Sequence, residues 1–264
     1  MNNTPSEFKE FKKRRHHSIV VVGNETPALL SLSLLLQRFA YDVVVANTAT
    51  QALERISAVR PALVITDTVL AGMGGMDLFE RLREDKRTSS IPVIFMVSPG
   101  DAATESRCLD MGAAGCVTKP VQAEELYQTV QQVIEPRPRA NIRIDALLPV
   151  TVNNMPLDCP RGACEVDLSE RGMYVTTQKP FPAHRRISMK IGIKDRTISA
   201  EGTVLYSNLA VAAGPGMHRE PGMGLKFVSI APQDREFIRT FIRDEVTRDI
   251  DGELSREPVD VWQP

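Results

Sequence analysis

Two prolines, Pro136 and Pro138, divide the sequence into halves with different hydrophobic periodicity. Before them lie five continuous apolar runs, each followed by a segment with helical spacing, at residues 19–22, 43–46, 63–66, 92–97 and 115–118. Continuous apolar strands that alternate with helices are typical of a parallel sheet covered by helices on both faces. The first half therefore predicts a doubly wound α/β domain with a five-stranded parallel sheet.

After the prolines, short alternating runs separated by glycine and proline indicate an all-β domain closed into a barrel. Residues 232–248 return to helical spacing, so a closing helix is expected. We place the two domains at 18–135 and 136–248, with residues 136–143 as a linker arm between them. Residues 1–17 are expected to be a disordered basic tail, 208–223 a flexible loop and 249–264 an acidic tail.

The charge is distributed unevenly along a chain whose net charge is only −1. Near neutrality argues against a dedicated nucleic-acid-binding protein, and no apolar run is long enough to span a membrane. Residues 18–135 contain nine Lys and Arg against fourteen Asp and Glu, a net −5, whereas residues 136–248 contain seventeen against twelve, a net +5. An anionic ligand is therefore favoured in the second half.

Enzymatic chemistry is not expected from this sequence. The nucleophile, metal-protease and phosphate-loop patterns are missing, and the histidines lie in the tail or in loops: His16, His17, His184 and His218. The cysteines (Cys108, Cys116, Cys159 and Cys164) follow neither a disulfide framework nor metal-ligand spacing, so we interpret them as packed or loop thiols. Without a recognisable signal peptide, a reducing cytoplasm is the expected location.

Two short motifs in the second half suggest recognition of guanine. Arg139 and Arg143 form an R-x-x-x-R pattern, and Asp167, Ser169 and Gly172 form a D-x-S-x-x-G pattern after a strand-like run. Arginines can stack on purine faces and donate to the O6 and N7 acceptors of guanine. A carboxylate and a hydroxyl can meet the donors on the opposite edge of that base.

In this order, and ahead of the glycine-rich ending at 222–227, the two motifs resemble the PilZ domain, a six-stranded barrel that binds cyclic di-GMP. The resemblance covers residues 136–247. It implies that Arg139 and Arg143 lie on a mobile arm and that Asp167, Ser169 and Gly172 lie on the barrel surface. Arg137 is a further arginine of open role. The alternative is that the arginines are solvated linker charges and residues 167–172 form an Asx-type turn.

The first half resembles the receiver domain of bacterial response regulators, through Asp67 after the third strand and Lys119-Pro120 after the fifth. That family transfers a phosphoryl group to an aspartate, and the Mg²⁺ it needs is held by an acidic pair after the first strand. Here Gly23-Asn24 replaces the pair, with Glu25 following as a candidate weak ligand. Val97 and Cys116 replace the hydroxyl and aromatic switch residues. We therefore expect Asp67 and Lys119 to be a vestigial phosphoacceptor pocket without metal.

The two resemblances together imply a two-component signalling protein that binds cyclic di-GMP and acts as an effector or adaptor. In this hypothesis the ligand orders the linker arm and repositions the receiver-like domain for an unidentified protein partner. The family suggests motility, pilus, chemosensory or polysaccharide machinery as that partner. Two alternatives stay open: a phosphorylation-responsive regulator with a PilZ output, and an interaction adaptor that binds no nucleotide.

Overall fold

The structure is a computed structural model that describes residues 17–24, 27–209, 221–248 and 250. Nearly all of both expected tails, most of the expected loop at 208–223, and Glu25 lie outside the described residues. The chain divides into two compact units between Arg139 and Ala140. No helix in the described part of the chain is long and apolar enough to cross a membrane.

In its described residues, the first unit alternates five strands with five helices. The strands are β1 (Ser18–Val22), β2 (Asp42–Ala46), β3 (Leu63–Asp67), β4 (Val93–Val97) and β5 (Gly115–Thr118). The helices are α1 (Pro27–Arg38), α2 (Ala49–Val59), α3 (Gly75–Glu84), α4 (Ala102–Asp110) and α5 (Ala123–Ile134). All strand pairs are parallel and the order is β2-β1-β3-β4-β5, which confirms the predicted doubly wound α/β fold.

The core of this unit lies between the sheet and its helices. Side chains of the central strands are fully buried, and the Phe79 ring of α3 packs on Phe95 of β4 with centroids 5.7 Å apart. Two helices begin at side-chain caps, since Thr48 accepts a hydrogen bond from the Gln51 N–H and Asp101 accepts one from the Thr104 N–H.

The part of the second unit that the structure describes contains eight strand segments, a short 3₁₀ turn and a terminal helix. The strands are β6 (Ile144–Leu148), β7 (Val150–Val152), β8 (Met155–Pro156), β9 (Cys164–Ser169), β10 (Gly172–Thr176), β11 (Arg186–Ile193), β12 (Arg196–Asn208) and β13 (Gly222–Ile230), followed by α6 (Pro232–Thr247). They form one antiparallel sheet in the order β6-β9-β10-β13-β12-β11-β7-β8. Strand β6 also contacts β11, so the sheet curls toward a barrel, as the predicted PilZ-like fold requires.

The sheet has eight segments where the family resemblance implied six strands, and local chemistry explains the difference. Pro149 has no backbone N–H to donate, and it separates β6 from β7. The two-residue strand β8 pairs with β7 across a tight hairpin. Asn153 and Asn154 form its turn with φ of 52° and 61°, a conformation that asparagine tolerates better than most residues.

The interpretation of all four cysteines as free thiols is wrong for one pair. Cys159 and Cys164 form a disulfide, with Cα atoms 5.0 Å apart. The cause is a single 3₁₀ turn at Pro160–Gly162, which folds the chain back and brings the two Cα atoms within bonding range. Cys108 is a buried free thiol and Cys116 a half-buried one.

Candidate functional site

In the first unit, Asp67 and Lys119 lie together at the carboxyl end of the sheet. Asp67 is the last residue of β3, and Lys119 directly follows β5. Lys119 Nζ forms a direct ion pair with Asp67 Oδ2, and the two side chains are 34% and 17% exposed. The predicted pocket residues are thus in contact, and the ammonium group neutralises the carboxylate.

The residues after β1 lie at the same level as Asp67, because Val22 pairs in register with Thr66. Gly23 brings no side chain there, and exposed Asn24 brings only a neutral amide. Within the described ranges, no group of three or more His, Cys, Asp or Glu side chains is arranged to hold a metal ion. Of Asp67, Gly23 and Asn24, only Asp67 carries a carboxylate, and Lys119 neutralises it.

Val97 and Cys116, which stand where the family has its hydroxyl and aromatic switch residues, carry no charge. Val97, at the end of β4, is 2% exposed and carries no hydroxyl group. Burial raises the pKa of the Cys116 thiol to about 11, so Cys116 stays protonated and uncharged at neutral pH. These side chains offer a phosphoryl group neither a hydrogen bond from a hydroxyl nor an aromatic ring that could move.

The linker arm contributes its two motif arginines to different units. Arg139 belongs to the first unit, where its backbone N–H donates to Gln131 Oε1 of α5 at 3.0 Å. Gln131 is itself buried and donates to the Tyr41 hydroxyl at 2.8 Å. Arg143 belongs to the second unit, and Arg137 is exposed on the arm.

Within the second unit, Arg143 and Asp167 lie together. The Arg143 Nη1 is 3.5 Å from Asp167 Oδ2, with the side chains 31% and 17% exposed. Asp167 lies on β9, whose last residue is Ser169. The arrangement places a guanidinium group and a carboxylate side by side on the outer face of the sheet, where both remain reachable from solvent.

Ser169 and Gly172 shape the turn between β9 and β10. Ser169 is 3% exposed and its hydroxyl donates to the Gly172 carbonyl oxygen at 2.9 Å. A Cβ atom on Gly172 would lie 2.1 Å from the Leu225 carbonyl oxygen, so only glycine fits against β13 here. In this conformation Ser169 holds the turn that positions Asp167 and does not present its hydroxyl to the surface.

Glu170, in the same turn, makes contacts that no sequence motif indicated. Its Oε1 accepts a hydrogen bond from Asn141 Nδ2 of the arm at 2.9 Å, and its Oε2 accepts one from Arg239 Nε of α6 at 2.7 Å. Its side chain is only 12% exposed. Burial by itself raises the pKa of Glu170, but Arg239 and Arg171 outweigh that effect and hold the pKa below the usual range. An ionised Glu170 therefore ties the arm, the turn and α6 together.

A cavity of about 320 Å³ lies in the second unit, lined by residues such as Asn154, Lys190, Glu201 and Ser229. Arg143 and Asp167 do not line this cavity, and their side chains are partly exposed, 31% and 17%.

Comparison with protein families finds two matches in chain order. Residues 19–131 match the response regulator receiver domain, and residues 137–244 match the PilZ domain.

Individual relatives resemble this chain over about half of its length. The phosphate regulon transcriptional regulatory protein PhoB of Pseudomonas aeruginosa is 28% identical over 141 residues, which is 53% of this chain and 60% of that protein. The DNA-binding response regulator MtrA of Mycobacterium tuberculosis is 31% identical over 113 residues, 43% of this chain and 48% of MtrA. The chain thus spans about half to three fifths of these curated relatives.

Solved structures that match part of this chain include a response regulator from Desulfuromonas acetoxidans, with 31% identity and a TM-score of 0.42. That match covers 45% of this chain and 97% of the other. The receiver domain of NtrX from Brucella abortus is 24% identical with a TM-score of 0.42, and covers 45% of this chain and 99% of its own.

Proposed function

Since this chain joins a response regulator receiver domain to a PilZ domain, we propose that it is a cyclic di-GMP-binding signalling protein of the two-component type. The observation that carries the proposal is the contact of Arg143 with Asp167 beside the turn that ends at Gly172. These residues come from the two motifs that the sequence singled out, and they converge on one exposed face.

The chemistry of this pair fits guanine. The guanidinium of Arg143 can donate to O6 and N7, and Asp167 can accept from the donors on the opposite edge. The present separation of 3.5 Å is longer than a strong charge-assisted hydrogen bond. Arg143 therefore loses little when it turns from Asp167 to a ligand, and the net +5 charge of residues 136–248 favours the ligand's two phosphates.

Ligand binding would couple the two domains through the arm. The boundary between the compact units falls at Arg139–Ala140, between the two motif arginines. A ligand that contacts both Arg139 and Arg143 would restrict the hinge between the units, and a partner could recognise the restricted state. The setting of that partner, whether motility, pili, chemosensory signalling or polysaccharide secretion, follows only from the family resemblance.

We further propose that the receiver domain works without phosphorylation. The Lys119 ammonium pairs with Asp67, and Gly23-Asn24, which stands where the family has its acidic pair, supplies no carboxylate. In this role the domain is a docking surface whose placement the PilZ domain controls.

Calorimetric titration of the full chain with cyclic di-GMP, and in parallel with cyclic di-AMP, tests the proposal. Where guanine has the O6 acceptor, adenine has an amino group, which is a donor. The Arg143 guanidinium can donate only, so it cannot form that hydrogen bond with adenine. We expect saturable binding of cyclic di-GMP and at least about 100-fold weaker binding of cyclic di-AMP, since a mismatched buried polar group is costly. Failure of cyclic di-GMP to bind at ligand concentrations up to the millimolar range would refute the proposal.

A further inference from the structure

We propose that Gln131 and Asn141 position the arginine-bearing arm for cyclic di-GMP, each through a hydrogen bond on its own side of Ala140. The inference rests on the proposed function and deepens it, because neither side chain is among those assigned to the ligand. Gln131 holds the arm within the first unit and Asn141 holds it within the second, and the boundary of the two units falls between Arg139 and Ala140.

The first of these hydrogen bonds fixes the backbone of Arg139. Gln131 lies on α5 and is 7% exposed. Its Oε1 accepts from the Arg139 backbone N–H at 3.0 Å, and its Nε2 donates to the hydroxyl of Tyr41, a side chain that is 6% exposed, at 2.8 Å. A backbone N–H can only donate, so the amide oxygen must face Arg139 and the amide nitrogen must face Tyr41.

Turning Gln131 away from Arg139 would leave a buried amide oxygen without its donor, which is costly. The contact uses only the main chain of Arg139. The Arg139 guanidinium group takes no part in it and stays available to a ligand, while the Cα atom that carries the side chain is held in place. Gln131 is therefore suited to position Arg139 without competing for it.

The second hydrogen bond fixes the arm two residues later. Asn141 Nδ2 donates to Glu170 Oε1 at 2.9 Å, while Glu170 Oε2 accepts from Arg239 Nε at 2.7 Å. Both partners donate, so only a carboxylate, with its two acceptor oxygens, satisfies them together. Glu170 is thereby held by α6, and Asn141 is tied to a fixed point beside the turn that follows Asp167.

The two hydrogen bonds enclose a short stretch of main chain. Ala140 alone lies between the held backbone N–H of Arg139 and the held residue Asn141. Beyond Asn141, Ile142 is 7% exposed and β6 begins at Ile144. Adjustment of the arm to a ligand is thus concentrated around Ala140. An arm that is already ordered on both sides loses less conformational entropy when it binds.

A purely structural role is the simpler explanation of these hydrogen bonds, and variants separate the two explanations. Gln131→Leu keeps the buried volume and removes both hydrogen bonds of the amide. Its matched control is Gln132→Leu, the same change at the exposed neighbouring position. Asn141→Ala removes the arm's bond and leaves Glu170 paired with Arg239, and since Asn141 is only half-buried, this variant does not alter the core.

Hydrogen exchange followed by NMR tests the Gln131 contact in the ligand-free chain. Arg137, exposed on the same arm, is the internal reference. After correction for intrinsic rates, the Arg139 amide of the wild type and of Gln132→Leu should exchange about 2- to 10-fold more slowly than that of Arg137, as one hydrogen bond predicts. Gln131→Leu should abolish this difference. Equal exchange of the two amides in the wild type would overturn the Gln131 contact whatever the ligand does.

Calorimetric titration with cyclic di-GMP, well below the unfolding temperature of each variant, tests the positioning role. Gln131→Leu and Asn141→Ala should each bind about 2- to 10-fold more weakly than the wild type, because each loses one hydrogen bond that orders the arm. Gln132→Leu should bind like the wild type. If the wild type binds and both variants bind equally well, the positioning role is wrong and the proposed function stands. A wild type that does not bind would refute the proposed function and the positioning role with it.

Discussion

Replacing Glu170 by alanine should destabilise the PilZ domain even though the residue lies in a turn between two strands. The carboxylate accepts from Asn141 of the arm at 2.9 Å and from Arg239 of α6 at 2.7 Å. Truncation removes both hydrogen bonds and leaves a gap where a side chain only 12% exposed had been. The turn, the arm and the helix would then be held by fewer contacts.

The size of the loss follows from the exposure of each partner. A hydrogen bond to a charged group contributes about 1.5–3 kcal/mol when buried, and an exposed ion pair about 0–1 kcal/mol. Because Arg239 is 47% exposed, its ion pair with Glu170 should contribute close to the value for an exposed pair. The hydrogen bond from half-buried Asn141 to the Glu170 carboxylate adds to that contribution. We therefore expect a loss of about 2 kcal/mol, which lowers the Tm of a domain this size by roughly 5–15 °C.

Differential scanning calorimetry of the full chain measures this loss. The matched control is Glu165→Ala, an exposed carboxylate on β9, the strand that leads into this turn, and it should change Tm by less than about 2 °C. The Tm of Glu170→Gln should lie between those of Glu170→Ala and Glu165→Ala, because glutamine keeps the shape of the side chain and loses its charge. A Tm for Glu170→Ala equal to that of the Glu165→Ala control would refute the reasoning.

The stabilisation that Glu170 contributes should depend on pH, because it requires the ionised carboxylate. Its pKa is lowered in the folded state, so its stabilisation is present above the ordinary glutamate pKa of about 4.3. That stabilisation is lost as the pH falls through the lower folded-state value. The stability difference between wild type and Glu170→Gln should therefore be constant from pH 7 to 5 and shrink on further acidification. A difference that grows on acidification would contradict this assignment.

Three further predictions concern the ligand site and the receiver domain. Asp167→Ala and Arg143→Ala should each weaken cyclic di-GMP binding, and a double-mutant cycle should show coupling, whereas additive losses would mean separate roles. Asp67→Asn should leave cyclic di-GMP affinity within about twofold, and beryllofluoride with Mg²⁺ should not modify the wild-type chain; stoichiometric Mg²⁺-dependent modification of Asp67 would contradict this. Saturating cyclic di-GMP should slow trypsin cleavage after Arg139 and Arg143, and an unchanged cleavage rate would exclude the ligand-ordered arm.

Hydrophobic periodicity was sufficient to predict the architecture. All five apolar runs of the first half form parallel strands. The runs in β1, β3 and β4 are buried, whereas the edge strands β2 and β5 are half-buried, and continuous apolar strands of this kind are typical of a parallel sheet covered by helices. The short alternating runs of the second half predicted an all-β barrel, and the structure has one curled antiparallel sheet there. The count of six strands came from the family resemblance, and the structure has eight segments because Pro149 separates β6 from β7 and a short hairpin adds β8.

The missed features depend on three-dimensional proximity that spacing does not reveal. The Cys159–Cys164 disulfide depends on the turn at Pro160–Gly162, and cysteines five residues apart are compatible with either state. Glu170 lies at a variable position of its motif, and its partners are 29 and 69 residues away in the chain.

The central claim is that cyclic di-GMP binds at the face formed by Arg143 and Asp167. Parallel calorimetric titrations of wild type, Arg143→Ala and Arg235→Ala test it most directly, because Arg235 is an exposed arginine on α6 outside the site. A cation–π contact together with a charge-assisted fork corresponds to about 2–4 kcal/mol, so Arg143→Ala should bind about 30- to 1,000-fold more weakly. Arg235→Ala should bind like the wild type, and all three proteins should unfold at similar temperatures. If Arg143→Ala binds cyclic di-GMP as tightly as the wild type, the ligand does not bind at this face and the account is wrong.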